Sequence, residues 1–189
     1  MTLNSEHPDN LLYSGLYRRS MYQLPLTAMP CLSSFDLLVN PNIEEFFMRI
    51  AVIYWSGTGN TESMAALIAE GARTTGAQVD VLPVSQCDLQ VLETYDRFAF
   101  GCSSQGDEEL EDTEFLPFFE QIGGQLSSRD IALFGAYGWG DGLWMRDWQE
   151  RVVALQANLF ESGLAIQEDS LPEDEQCKSF GERFAKFNG

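Results

Sequence analysis

Positive charge is scarce in this chain: 11 Lys and Arg stand against 29 Asp and Glu, for a formal net charge of -18. A nucleic-acid footprint needs Lys and Arg clustered on one face, and an anionic membrane surface asks for the same, so neither is an expected partner. Histidine is nearly absent as well. The one His, His7, lies near the N-terminus, and Cys31, Cys87, Cys102 and Cys177 include no C-x-x-C pair, so no zinc-type ligand spacing exists and no metal is expected. Cysteines used this way fit a reducing cytoplasm. No apolar run reaches the roughly 20 residues that a membrane helix requires. No G-x-G-x-x-G dinucleotide fingerprint is present either.

What is present is a core. With 189 residues, 44% of them hydrophobic and 12% aromatic, the chain can bury enough surface for one well-packed domain. Its character changes near Met48. Residues 1–47 hold four of the seven prolines and lack periodicity, and their apolar patches, such as Phe35-Asp36-Leu37-Leu38-Val39, end at once in Asn40-Pro41. Arg18-Arg19 followed by Met21 to Cys31 imitates a twin-arginine export signal, but Pro25 and Pro30 interrupt its apolar part. The genetic code offers another reading. Glu44-Glu45 is encoded by the purine-rich pattern GARGAR, and Phe46-Phe47 supplies a short spacer before the Met48 codon, as in a bacterial ribosome-binding site. The expectation is a dispensable, disordered extension or upstream sequence over 1–47 and a folded domain over 48–189.

From Met48 on, 9 basic and 24 acidic residues leave a net charge of -15, and the pattern alternates between strand and helix. Arg49 to Tyr54 reads as a buried strand, and Asn60 to Thr75 as a helix with Met64, Leu67, Ile68 and Gly71 on one face. Strands are expected at 78–84, 97–102, 130–135 and 164–167, with helices at 89–95, around Pro117 from 114 to 121, at 143–162 and at 173–186. Such alternation implies an α/β fold, a doubly wound five-stranded parallel sheet with helices on both faces. Ligands of such sheets sit where the carboxyl ends of the strands meet the switch in strand order, so the loops after the first, third and fourth strands should converge.

Each loop has two readings. In the first, Ser56, Gly57, Thr58, Gly59, Asn60 and Thr61 combine exposed backbone, hydroxyls and a helix N-terminus, which suits a phosphate, or form an ordinary capped turn. It has no P-loop lysine. The third-strand loop, Ser103-Ser104-Gln105-Gly106-Asp107-Glu108 and onward to Asp112, is either a solvated acidic face or part of a site. Paired carboxylates for hydrolysis are a weaker option there, because no nucleophile or histidine accompanies them. The fourth-strand loop, Ala136-Tyr137-Gly138-Trp139-Gly140, sets a Trp between glycines, which asks for a flat ligand unless the ring folds back over the sheet edge.

Taken together, "YWSGTGNTE", "GCSSQGDE" and "FGAYGWGDGLWMRDW" resemble the flavodoxins, specifically the short-chain kind, over about three quarters of the chain. The resemblance implies one tightly bound, non-covalent FMN that carries electrons between other proteins, with no catalytic residue of its own. Residues 56–61 would hold the 5'-phosphate. The ring would lie between the Gln105 region and Trp139, with Glu108 near its pyrimidine side and Ser103, Ser104 and the backbone of Ala136 to Gly140 also in contact. Gly106-Asp107 matches the peptide that, in this family, turns over when the flavin becomes a semiquinone, a turn that Gly makes cheap. Two positions depart from the short-chain pattern: Gln105 where relatives carry Met, and Ala136 where they tend to carry a hydroxyl. Normal FMN binding with an altered gap between the two one-electron potentials is expected.

The acidic loop around Asp107, Glu108, Glu109, Glu111, Asp112 and Glu114 should disfavour an anionic reduced flavin and make a low-potential donor. It should also steer docking to redox proteins with basic patches, such as a flavodoxin reductase or a pyruvate oxidoreductase-type enzyme. A cytoplasmic monomer is expected. An FMN-dependent NAD(P)H or quinone oxidoreductase on the same scaffold is the alternative, although no nicotinamide pocket is legible. A receiver-type signalling module would want acidic residues where Tyr54-Trp55-Ser56 stand.

Overall fold

The computed structural model describes residues 47–170 and 173–189, so the extension expected over 1–47 lies outside the described residues except for Phe47. The described chain runs β1 (Arg49–Trp55), α1 (Asn60–Arg73), β2 (Gln78–Pro83), a 3-10 turn, α2 (Val91–Thr94), β3 (Arg97–Cys102) and α3 (Phe115–Gly123). It continues with β4 (Asp130–Tyr137), α4 (Leu143–Ala154), β5 (Asn158–Leu159), β6 (Leu164–Gln167), a second 3-10 turn and α5 (Asp174–Ala185). The sheet is ordered β2-β1-β3-β4, and β5 and β6 share the fifth position beside β4. Every pairing is parallel. The expected five-position, doubly wound sheet is therefore present.

The strands are apolar on both sides, and alternate residues serve opposite faces. Ala51, Ile53, Phe98, Phe100 and Leu133 pack with Phe115, Phe119 and Ile122 of α3 and Trp144, Trp148 and Val152 of α4. Ile50, Val52, Ala99, Ala132 and Phe134 meet Met64 and Ile68 of α1 and Phe180 and Phe184 of α5 on the other side. The helices α1 and α5 approach until backbones touch. A Cβ at Gly71 would stand 1.9 Å from the Lys178 carbonyl oxygen, and one at Gly181 1.9 Å from that of Ile68. Buried Arg97 joins this layer to the sheet, since its guanidinium donates to the carbonyls of Phe184 and Ala185 at 2.9 and 2.8 Å and pairs with Asp130 at 3.2 Å.

One expected element is wrong in extent. The helix expected over 143–162 stops at Ala154, and Asn158–Leu159, inside that span, form strand β5. Val152, Leu155 and Leu159 continue a helical spacing, which is why periodicity overran the end. The chain turns at Gln156, whose φ is 60°. Its N–H donates to the Val153 carbonyl and that of Ala157 to the Val152 carbonyl, which is a Schellman ending without its usual Gly.

Candidate cofactor site

Between β1 and β3 the strand order reverses, because the chain adds β2 on one side of β1 and β3 on the other. The loops after β1, β3 and β4 leave the sheet at that end, and hydrogen bonds tie all three at Ala136. Its N–H donates to the Thr61 hydroxyl at 3.4 Å, and its carbonyl accepts from the Ser104 N–H at 3.0 Å. The convergence expected from the topology is thus made by one buried residue.

In the first loop, the Ser56 hydroxyl accepts from the Gly59 N–H at 3.0 Å, which curls the chain into α1 and leaves the hydroxyl proton free to face an anion. Gly57 and Thr58 are exposed, and Gly59 and Asn60 half-buried. The N–H groups of the first helical turn have no acceptor within the helix, so an anion there gains donors and the favourable end of the dipole. Thr61 is fully buried, and its hydroxyl serves Ala136. That bond ties the start of α1 to the end of β4. Beneath the loop, the Trp55 ring lies where a Cβ on Gly57 would meet it at 3.0 Å.

The second loop is a tight hairpin, in which Gln105 and Glu109 exchange both main-chain hydrogen bonds at 2.9 Å. Gly106 has φ 46° and Glu108 φ 60°. The Gln105 amide folds back to donate to the Ser103 hydroxyl and the Ser104 carbonyl, so Ser103 is buried while Gln105, Gly106 and Asp107 stay exposed. The Glu108 carboxylate reaches across to the third loop. Its Oε1 accepts from the N–H groups of Asp141, Gly142 and Leu143 at 3.1, 2.8 and 3.1 Å.

Glu111 is not part of a solvated acidic rim, as charge alone had suggested. It is 6% exposed and its carboxylate starts α3, accepting from the N–H groups of Thr113, Glu114 and Phe115 at 2.9, 2.9 and 2.8 Å and from the Thr113 hydroxyl. Burial alone would raise its pKa, but these donors outweigh it and hold the carboxyl below its ordinary value. Cys102 lies under the same loop. Burial pushes its thiol up to about 12, so it is a neutral packing group and no nucleophile.

In the third loop, Trp139 is 59% exposed and does not fold back over the sheet. Tyr137 is half-buried and meets Trp144 edge-on at 6.2 Å. Sequence reasoning missed Asp141, Gly142 and Leu143 as participants. A capping pattern would have revealed them had the cap been local, but the Glu108 carboxylate comes from 34 residues away.

The donor set fits FMN. Neutral hydroxyls and backbone N–H groups suit a phosphate anchored without reaction, and an exposed indole beside a glycine-containing hairpin suits a planar ring. The class so defined is an α/β protein that binds a flat, phosphate-bearing cofactor at its sheet switch point. A family model described as Flavodoxin matches residues 52–181. The flavodoxin of Clostridium beijerinckii is 44% identical over 136 residues, covering 72% of this chain and 99% of that protein. That of Megasphaera elsdenii is 36% identical, with coverages of 72% and 98%. The solution structure of the two-electron reduced Megasphaera elsdenii flavodoxin superposes with a TM-score of 0.67 over 73% of this chain and 99% of that one. The chain belongs to the flavodoxin family, of the short-chain kind. It is accordingly an FMN-binding electron-transfer protein and not an enzyme. Only four residues, 160–163, separate β5 from β6, too few for a long insertion in the fifth strand.

Proposed function

We propose that this protein is a low-potential, one-electron carrier whose FMN is held by the three loops joined at Ala136. When bound, FMN supplies reversible electron uptake at its ring. Ser56, Gly57, Thr58, Gly59, Asn60 and Thr61 anchor the 5'-phosphate. Ser103 and Ser104 shape the wall beside the ring, and Gln105, Gly106, Asp107 and Glu108 flank one of its faces. Ala136, Tyr137, Gly138 and Gly140 carry Trp139 to the other face. The exposed indole between glycines is the observation that carries this assignment. Asp107, Glu109, Asp112 and Glu114 are all exposed beside the hairpin. Their charge opposes extra negative charge on the ring and lowers the potential of the second electron. The same carboxylates favour partners with basic patches, of the flavodoxin reductase or pyruvate oxidoreductase kind, met in the cytoplasm by a monomer.

Purified protein should be yellow and release FMN on denaturation. It should oxidise NADPH only when a reductase is added, and photoreduction with simultaneous spectroscopy should resolve two one-electron steps. Rapid NADPH oxidation by the protein alone would refute the carrier reading. We further propose that 48–189 is the complete FMN-binding unit. A chain begun at Met48 should bind FMN as the full chain does, and loss of binding would overturn that.

A further inference from the structure

The link between Glu108 and the start of α4 has a feature that local capping does not require. Glu108 occupies a left-handed backbone position, φ 60°, that a residue with a long side chain rarely adopts. That conformation sends its carboxylate to three successive N–H groups at the N-terminus of a 12-residue helix in another loop. Gly140, one residue after Trp139, completes the fit. A Cβ there would stand 2.2 Å from the Glu108 Cδ and 2.3 Å from its Oε1, and the φ of 95° at Gly140 disfavours any side chain. Charge favours the contact too, since a carboxylate at a helix N-terminus meets the positive end of the dipole.

We infer that Glu108 is a positioning residue. It clasps the Gln105–Glu109 hairpin to the N-terminus of α4, and so fixes the Trp139 segment that lies between them. Trp139 is anchored on the other side by β4, through Ala136 and Tyr137. With the clasp closed, both ends of the segment 138–142 are held, and the indole keeps one position despite its glycine neighbours. Without it, the far end of the segment is held only by its continuation into α4 and by Arg146, whose guanidinium donates to the Asp141 carbonyl and pairs with the Asp141 carboxylate. With the clasp closed, the hairpin and the Trp139 segment are joined through one side chain. The inference rests on Trp139 being a ring shelf, as proposed above, but the clasp itself can be tested without FMN.

The test is amide hydrogen exchange by NMR on the full chain, with FMN bound and after its removal, in Glu108→Ala, Glu108→Gln and Gly140→Ala. The last leaves Glu108 in place and evicts its carboxylate. Protection of Gly142 and Leu143 should fall at least tenfold in Glu108→Ala and Gly140→Ala. It should fall less in Glu108→Gln, which keeps an acceptor oxygen, and the amides of Ile131 to Phe134 should be unchanged. A second arm measures FMN dissociation constants for Glu108→Ala, Trp139→Ala and the double variant. Each single change should weaken binding at least tenfold, and the double loss should be clearly smaller than the product of the two. Protection equal to that of the parent chain in both clasp variants would overturn the clasp. Normal exchange effects with fully multiplicative affinity losses would overturn its role in placing Trp139. Trp139→Ala binding FMN as the parent does would instead count against the ring-shelf reading.

Discussion

Replacing Glu111 with Ala should be among the most damaging single changes outside the apolar core. Its carboxylate is the only side-chain acceptor that the described structure gives to the first N–H groups of α3. Thr113 and Glu114 are exposed, so water can take over there, and losing a cap of that kind costs about 1 kcal/mol. Phe115 is fully buried, and its orphaned N–H adds about 1–3 kcal/mol. The sum, about 2–4 kcal/mol, is a large fraction of a typical domain stability of about 5–15 kcal/mol. It corresponds to a fall in Tm of about 5–15 °C for a domain of this size. Because the folded-state pKa lies below its ordinary 4.5, the contribution is fully present above that value and is lost as pH falls through the folded pKa. Urea unfolding of FMN-free protein from pH 7 to pH 3, parent against Glu111→Ala, measures this. The gap should be full at pH 7 and should close on acidification. A gap that stays constant down to pH 3 would show that the charge on Glu111 contributes nothing.

Other consequences follow from particular contacts. Gln105→Met should release Ser103 and Ser104 from the amide and place a polarizable thioether beside the ring. The gap between the two one-electron potentials should change, and an unchanged gap in redox titration would refute a role for Gln105. Gly181→Ala forces a methyl into the Ile68 carbonyl, so α1 and α5 must separate at a cost of about 1–3 kcal/mol, read by thermal unfolding. Equal stability would mean that the helix pair has slack. Electron transfer to a partner with a basic surface should slow markedly as ionic strength rises, and stopped-flow rates independent of salt would refute steering by the acidic loop.

Much of the fold was legible because its signals are local. Buried parallel strands such as Arg97–Cys102 are short apolar runs, and α1 shows its inward face at 64, 67, 68 and 71. The end of α4 was not legible, since the residue that ends it in the left-handed region is Gln156 and the apolar spacing runs on past it. The role of Glu111 was hidden in a run of like charges. In sequence it looks like Asp107 or Asp112, and only the packing of α3 decides that this one carboxylate is buried.

The sequence by itself determined the alternation of strands and helices, the loops that carry phosphate-friendly and aromatic residues, and the strong negative charge. Those depend on residue type and on spacing within a few positions. The tertiary structure alone decided which atoms hold the three loops together. Thr61 turns its hydroxyl inward to Ala136, Ser104 reaches the carbonyl of the same residue, and Glu108 leaves its own hairpin to start a helix. Each is a contact between residues 32 to 75 positions apart. No local pattern encodes such a contact, because it exists only once the parallel sheet has brought three loop ends to one edge.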